Sequence, residues 1–153
     1  MKVKVKRLHP GAAIPQYATG GAACFDLHAI VDTYPPYGQD AMAVPEGAAT
    51  FRTGLAFEIP AGHVMLIFSR SGHGFKHDTR LANCVGVIDS DYRGEVMVRL
   101  TRDDPCPLDI LTVRHGDRIA QAMILPVPTT ELIETEQLDE TDRGTGGFGS
   151  TGQ

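Results

Sequence analysis

Ten prolines and seventeen glycines cut this chain into short runs, and that punctuation limits its fold more than any other feature. No segment holds the 3.6-residue apolar period of a surface helix, whereas several hold the period of two that half-buried strands need. Residues 2–8 alternate charge with valine or leucine, and residues 24–30 set Asp26 between apolar neighbours. Residues 50–59 and 63–68 read as strands joined across Pro60-Ala61-Gly62. Residues 95–100, 110–113 and 119–127 follow, the last two separated by the turn His115-Gly116-Asp117. Short alternating runs bounded by turn residues predict an all-β sandwich or barrel. The 153 residues suit one domain with a core large enough to need no disulfides.

Charge narrows the function. The net charge of −5 and the absence of a Lys/Arg cluster beyond the first seven residues argue against a nucleic-acid polymer as partner. A small phosphorylated ligand stays open, because a few local cations or one metal ion suffice for it. Three cysteines, Cys24, Cys84 and Cys106, form no CxxC pair, which fits free thiols in a reducing compartment. With no secretory signal and no apolar run of about 20 residues, a soluble cytoplasmic protein is expected.

The stretch Gly86-Val87-Ile88-Asp89-Ser90-Asp91-Tyr92-Arg93-Gly94 reads as the first strand and turn of a β-hairpin. Asp and Ser suit turns because their side chains bond nearby backbone, yet this turn also carries a tyrosine and an arginine. Ser69-Arg70-Ser71-Gly72 combines an arginine fork, hydroxyls and a glycine, the groups that bind phosphate. His73 and His77 stand four apart, but Gly74 weakens any helix there and HExxH is absent, so both are read as surface residues rather than zinc ligands. Met65, Met97 and Met123 lie in apolar runs and read as core. Gln121, in the run 119–123, is either a core hydrogen-bonder or a ligand contact. The tail Arg143-Gly144-Thr145-Gly146-Gly147-Phe148-Gly149-Ser150-Thr151-Gly152 satisfies GxGxxG, but no helix can follow it, which excludes a Rossmann site. Its arginine, phenylalanine and hydroxyls suit a flexible lid over phosphate and base.

Together these segments resemble the trimeric deoxyuridine triphosphatases over nearly the whole chain. Five motifs stand in the family's order: Gly21-Ala22-Ala23-Cys24-Phe25-Asp26-Leu27, Arg70-Ser71-Gly72, the stretch from Gly86 to Gly94, Gly116-Asp117-Arg118-Ile119-Ala120-Gln121, and the glycine-rich tail. The resemblance implies a jelly-roll-like catalytic domain over residues 1–142 and a flexible glycine-rich C-terminal lid over 143–153. It implies a homotrimer with shared active sites and Mg²⁺-assisted hydrolysis of dUTP to dUMP and pyrophosphate. By motif position, Asp89 matches the water-activating base and Tyr92 the ring against the deoxyribose. Asn83, the backbone of Val87, Ile88 and Asp89, and Met97 match the uracil pocket. Arg70, Ser71, Gly72 and Gln121 match phosphate contacts; Arg143, Phe148, Ser150 and Thr151 match the lid. Asp26 matches a carboxylate touching the water shell of the metal.

The second motif departs from the usual pattern, with His73-Gly74-Phe75 where a more apolar residue often follows Arg-Ser-Gly, and Asp78-Thr79-Arg80 beyond it. Two other readings compete: a dCTP deaminase relative, for which the turn offers no acid–base residue near the base, and a non-catalytic nucleotide-binding trimer.

Overall fold

A computed structural model describes residues 1–31, 41–44, 47–102 and 111–147. Eleven strands and one short helix occupy them: β1 (Lys4–Arg7), β2 (Phe25–His28), β3 (Ala41–Ala43), β4 (Gly47–Arg52), β5 (Leu55–Glu58), β6 (His63–Phe68), α1 (Ser71–His77), β7 (Thr79–Leu81), β8 (Val85–Ile88), β9 (Met97–Arg102), β10 (Thr112–Arg114) and β11 (Arg118–Pro126). The fold is all-β, as the alternating runs predict. A four-stranded antiparallel sheet in the order β2-β11-β6-β8 and a three-stranded one in the order β4-β9-β7 form its bulk, with the pairs β1-β5 and β10-β3 beside them.

Alternation supplies the core. Leu27 of β2, Met65 and Ile67 of β6 and Ile119 of β11 turn inward from the larger sheet. Phe51 of β4, Leu81 of β7 and Val98 and Leu100 of β9 turn inward from the smaller one, and all join one apolar cluster. Burying each such side chain contributes roughly 1.5–3 kcal/mol.

Four expectations need correction. The run 50–59 is two strands, not one. Gly54 adopts φ +67, and a side chain there would come within 2.9 Å of the Cβ atoms of Ala12 and His9. The buried Thr53 Oγ1 fixes this corner by donating to Val96 O at 2.6 Å.

The hairpin expected around Asp89 is not a hairpin. β8 pairs with β6, whereas β9 pairs with β4 and β7, so the turn passes from one sheet to the other. Alternation marks a strand but does not name its partner.

A helix also occurs where Gly74 argued against one. The residues of α1 are too few to show a period. The helix closes on Asp78, whose left-handed backbone (φ 45) lets its N–H donate to His73 O.

Met97 is 56% exposed rather than core, because Val96 and Val98 take the inward positions on either side of it. Met65, in contrast, is fully buried.

Candidate active site

Period two explains the first cluster. Phe25 and Leu27 face the core, so Asp26 faces the other way, opposite Gln121 of β11. Gln121 in turn lies opposite Phe68, the last residue of β6, which brings Ser69 and Arg70 next to it. Gln121 Nε2 donates to Ser69 O at 2.9 Å, and Ser69 Oγ accepts the Leu81 N–H at 2.9 Å. The backbone entering Arg70 is thus held from β11 and from β7.

Asp26 is only 17% exposed and has both oxygens engaged. Arg70 Nε lies 3.2 Å from Oδ1, and Arg118 Nη1 lies 3.3 Å from Oδ2. One carboxylate between two guanidinium groups leaves the cluster net positive. Ala22, Ala23, Cys24, Ser71, Gly72 and Gln121 complete a cavity of about 510 Å³ around Asp26 and Arg70. Small walls, the fixed Arg70 guanidinium with Arg118 behind Asp26, and hydroxyl or amide donors suit a polyanion. Burial, and after it Asp26, push the Cys24 thiol up, so it stays protonated near neutrality and supplies no thiolate nucleophile.

A second cavity, about 470 Å³, opens where β8 and β9 part. Asn83, Gly86, Val87, Ile88 and Met97 line it, with Ile67 and Leu81 at its base. A tight turn delivers Asn83 to it: Cys84 sits at φ 62, and its N–H donates to Leu81 O at 3.2 Å. β8 is the edge of its sheet, so alternate N–H and C=O groups face away from β6. An apolar slot lined by free backbone groups suits a flat heterocycle with hydrogen-bonding edges.

Asp89 and Tyr92 follow on the turn after β8, both exposed. The Tyr92 N–H donates to Asp89 O at 3.2 Å, closing the turn, and the Tyr92 hydroxyl donates to Glu95 O at 3.1 Å. The ring thereby lies over Gly94, where a Cβ would overlap its Cζ and hydroxyl. Ser90 and Asp91 serve the turn itself, and Ser90 O accepts Arg93 Nη1 at 2.7 Å.

The predicted residues therefore fall into two groups in this chain. Ile88 pairs with Met65, so Asp89 lies beside Val64, six residues along the chain from Arg70. At strand rise that is about 20 Å, more than an arginine and an aspartate side chain span together. Arg143 lies beyond β11 in the stretch 127–147, which has no strand or helix and is exposed almost throughout. Phe148, Ser150 and Thr151 lie outside the described residues, as does Cys106.

The bracing parts that three residues of the cluster play were not foreseen from the sequence. Ser69 braces Arg70 through both its hydroxyl and its carbonyl. Arg118 holds Asp26, and its signal was its place opposite His28 across the β2–β11 ladder. His73, read as a surface residue, instead folds back on Arg70, with Nε2 3.3 Å from Arg70 Nη1 and Nδ1 buried without a partner.

A β-sandwich with an arginine-bearing polar cavity at one edge and a backbone-lined slot at the other suits a protein that handles nucleotides. Comparison with known proteins agrees. A dUTPase family model matches residues 11–152. The chain is 45% identical to the deoxyuridine 5′-triphosphate nucleotidohydrolase of Nautilia profundicola over the full length of both. It is 46% identical to the one from Desulfitobacterium hafniense, over 99% of this chain and 97% of that one. Among solved structures it superposes on a Staphylococcus bacteriophage 80alpha dUTPase mutant bound to dUpNHpp, at TM-score 0.80 and 24% identity over 99% of each chain. The chain belongs to the dUTPase family and is an enzyme of the dUTP diphosphatase class. That superposition also identifies the sandwich as the jelly-roll fold expected from the sequence.

Proposed function

We propose that the enzyme converts dUTP to dUMP and pyrophosphate by direct water attack on the α-phosphorus. The product dUMP would supply thymidylate synthesis, and removal of dUTP would keep uracil out of DNA. The observation that carries the reading is the division of the site. A cationic cavity suited to a triphosphate and a slot suited to a pyrimidine stand at opposite edges of the sheet β2-β11-β6-β8. The roughly 20 Å between Asp89 and Arg70 supports sites shared between copies, one protomer's slot facing another's phosphate cavity, in the homotrimer that the family resemblance implies. A cytoplasmic location suits the pool of soluble nucleotides, and among the described residues no helix is long and apolar enough to cross a membrane.

In this mechanism the Asp89 carboxylate accepts a proton from water. The water oxygen bonds to the α-phosphorus as the bridging bond to the β-phosphate breaks, and its electron pair leaves with pyrophosphate. Arg70, Ser71, Gly72 and Gln121 hold the phosphates. The outer backbone of β8 around Val87, Ile88 and Asp89 reads the uracil edge with Asn83, while Met97 closes the slot. A donor in place of the uracil O4, as in cytosine, would confront a donor of the slot. Residues 1–142 form the catalytic body and 143–153 the lid, with Phe148 over the base and Arg143, Ser150 and Thr151 at the terminal phosphate.

The donor set fits Mg²⁺ carried in on the triphosphate. Among the described residues no three of His, Cys, Asp and Glu converge on a metal position, and Mg²⁺ favours phosphate oxygens and retained waters over a protein cage. Asp26, bound to two arginines, keeps free lone pairs for a water of that shell. When bound, the ion would neutralise phosphate charge.

The decisive experiment measures pyrophosphate release from dUTP, dCTP, dTTP and UTP, with and without Mg²⁺. Turnover of dUTP alone, dependent on the metal, is expected; ammonia from dCTP would overturn the assignment.

The Tyr92 ring would bar the 2′-hydroxyl of UTP. Gly94→Ala should displace the ring and lower kcat/KM for dUTP by about tenfold, within the range that one methyl group commands in a fitted pocket. Steady-state rates on dUTP and UTP test this, and unchanged selectivity would remove the ring from the sugar site.

A further inference from the structure

Arg70 has five N–H donors, and the fold uses them unequally. Nε faces Asp26 Oδ1 at 3.2 Å, while Nη1 donates to Arg118 O at 3.0 Å and meets His73 Nε2 at 3.3 Å. These three contacts come from β2, β11 and α1. Among the described residues no hydrogen bond is made by Nη2, and Arg70 borders the phosphate cavity. Asp26 holds the Nε side, and the Arg118 carbonyl holds Nη1. The second Nη1 contact is a histidine, where the family motif more often has an apolar residue.

We infer that His73 is a positioning residue, whose neutral ring accepts from Arg70 Nη1 and turns the Nη2 edge toward the triphosphate. The inference rests on the reading of Arg70 as a phosphate contact. Acceptance at Nε2 requires the proton on Nδ1, the buried nitrogen that has no partner. A ring packed for its own stability would not bury an unpaired nitrogen while spending the other on an arginine already held by two oxygens. Its surroundings keep it neutral. Burial first, then Arg70, hold its pKa down to about 4; His77 and Arg118 act in the same direction, and only Asp117 opposes them. His73 also lies in the first turn of α1, directly after Ser71 and Gly72, so its bond to Arg70 ties all the proposed phosphate contacts of this segment into one unit.

The test uses the full-length protein, with calorimetric Kd values for dUpNHpp and Mg²⁺ and steady-state kinetics on dUTP. His73→Leu fills the space without an acceptor, whereas His73→Gln offers an amide oxygen near the position of Nε2. The leucine variant should bind about tenfold more weakly, a typical coupling for contacting residues, with KM raised more than kcat is lowered. Its melting temperature should be unchanged or higher, since the unpaired nitrogen is gone. The glutamine variant should recover most of the affinity. In an Arg70→Ala background, His73→Leu should cause no further loss. Undiminished binding by His73→Leu, a parallel loss of melting temperature without rescue by glutamine, or additive losses in the double variant would each overturn the inference. If Arg70→Ala alone left dUpNHpp binding intact, the phosphate assignment itself would fall.

Discussion

Asp89→Asn is expected to cut pyrophosphate release from dUTP by about 10²–10⁴-fold, the usual contribution of a positioned general base. Binding of dUpNHpp should change little. The asparagine has nearly the same shape, so the turn that Asp89 closes through its carbonyl to the Tyr92 N–H should persist. What is lost is the lone pair that takes the proton of the attacking water. The slot of β8 and β9 and the cavity around Arg70, proposed to supply the binding, are untouched. Single-turnover rates with calorimetry separate the two effects. Wild-type turnover in Asp89→Asn would remove the base from the mechanism, and lost analogue binding would make Asp89 a slot contact instead.

Deleting residues 143–153 should be the next most damaging change. The sheets end at Pro126, and Arg143 lies within an exposed stretch that makes no part of the apolar core. Its removal should therefore leave the melting temperature nearly unaltered. Turnover should fall by about 10²–10³-fold, as when a donor to developing negative charge is lost. Closure by Phe148 would also exclude water from the triphosphate, strengthening every charge contact there. Thermal melts and kcat/KM on the truncated chain check both halves. An unchanged rate would make the tail an inert extension.

Much of the cluster around Asp26 and Arg70 was legible in the sequence because it depends on period two. Asp26 stands between two buried residues, so its exposure to the outer face follows from Phe25 and Leu27 alone. Gln121 was ambiguous between core and ligand, and it proves to be both a brace for Ser69 and a wall of the cavity. The partnership of β8 with β6 was not legible, because pairing depends on residues far along the chain. The corner at Thr53-Gly54 was hidden for a similar reason: Glu95 Oε1 accepts the Gly54 N–H at 2.8 Å across 41 residues. The fold-back of His73 needed a helix of seven residues, too short to announce itself by periodicity.

In the proposed reading, the divergence of β8 and β9 would tie substrate fidelity to the interior of the protein. The slot is not a loop that folds around a base; its width is the separation of two sheets, and that separation is set by residues such as Leu81, Val98 and Leu100. Interiors this closely packed transmit small volume changes rather than absorbing them. If the slot takes the base as proposed, core substitutions mild enough to spare the fold would surface as errors in distinguishing one pyrimidine from another, without changing any group that hydrogen-bonds the base.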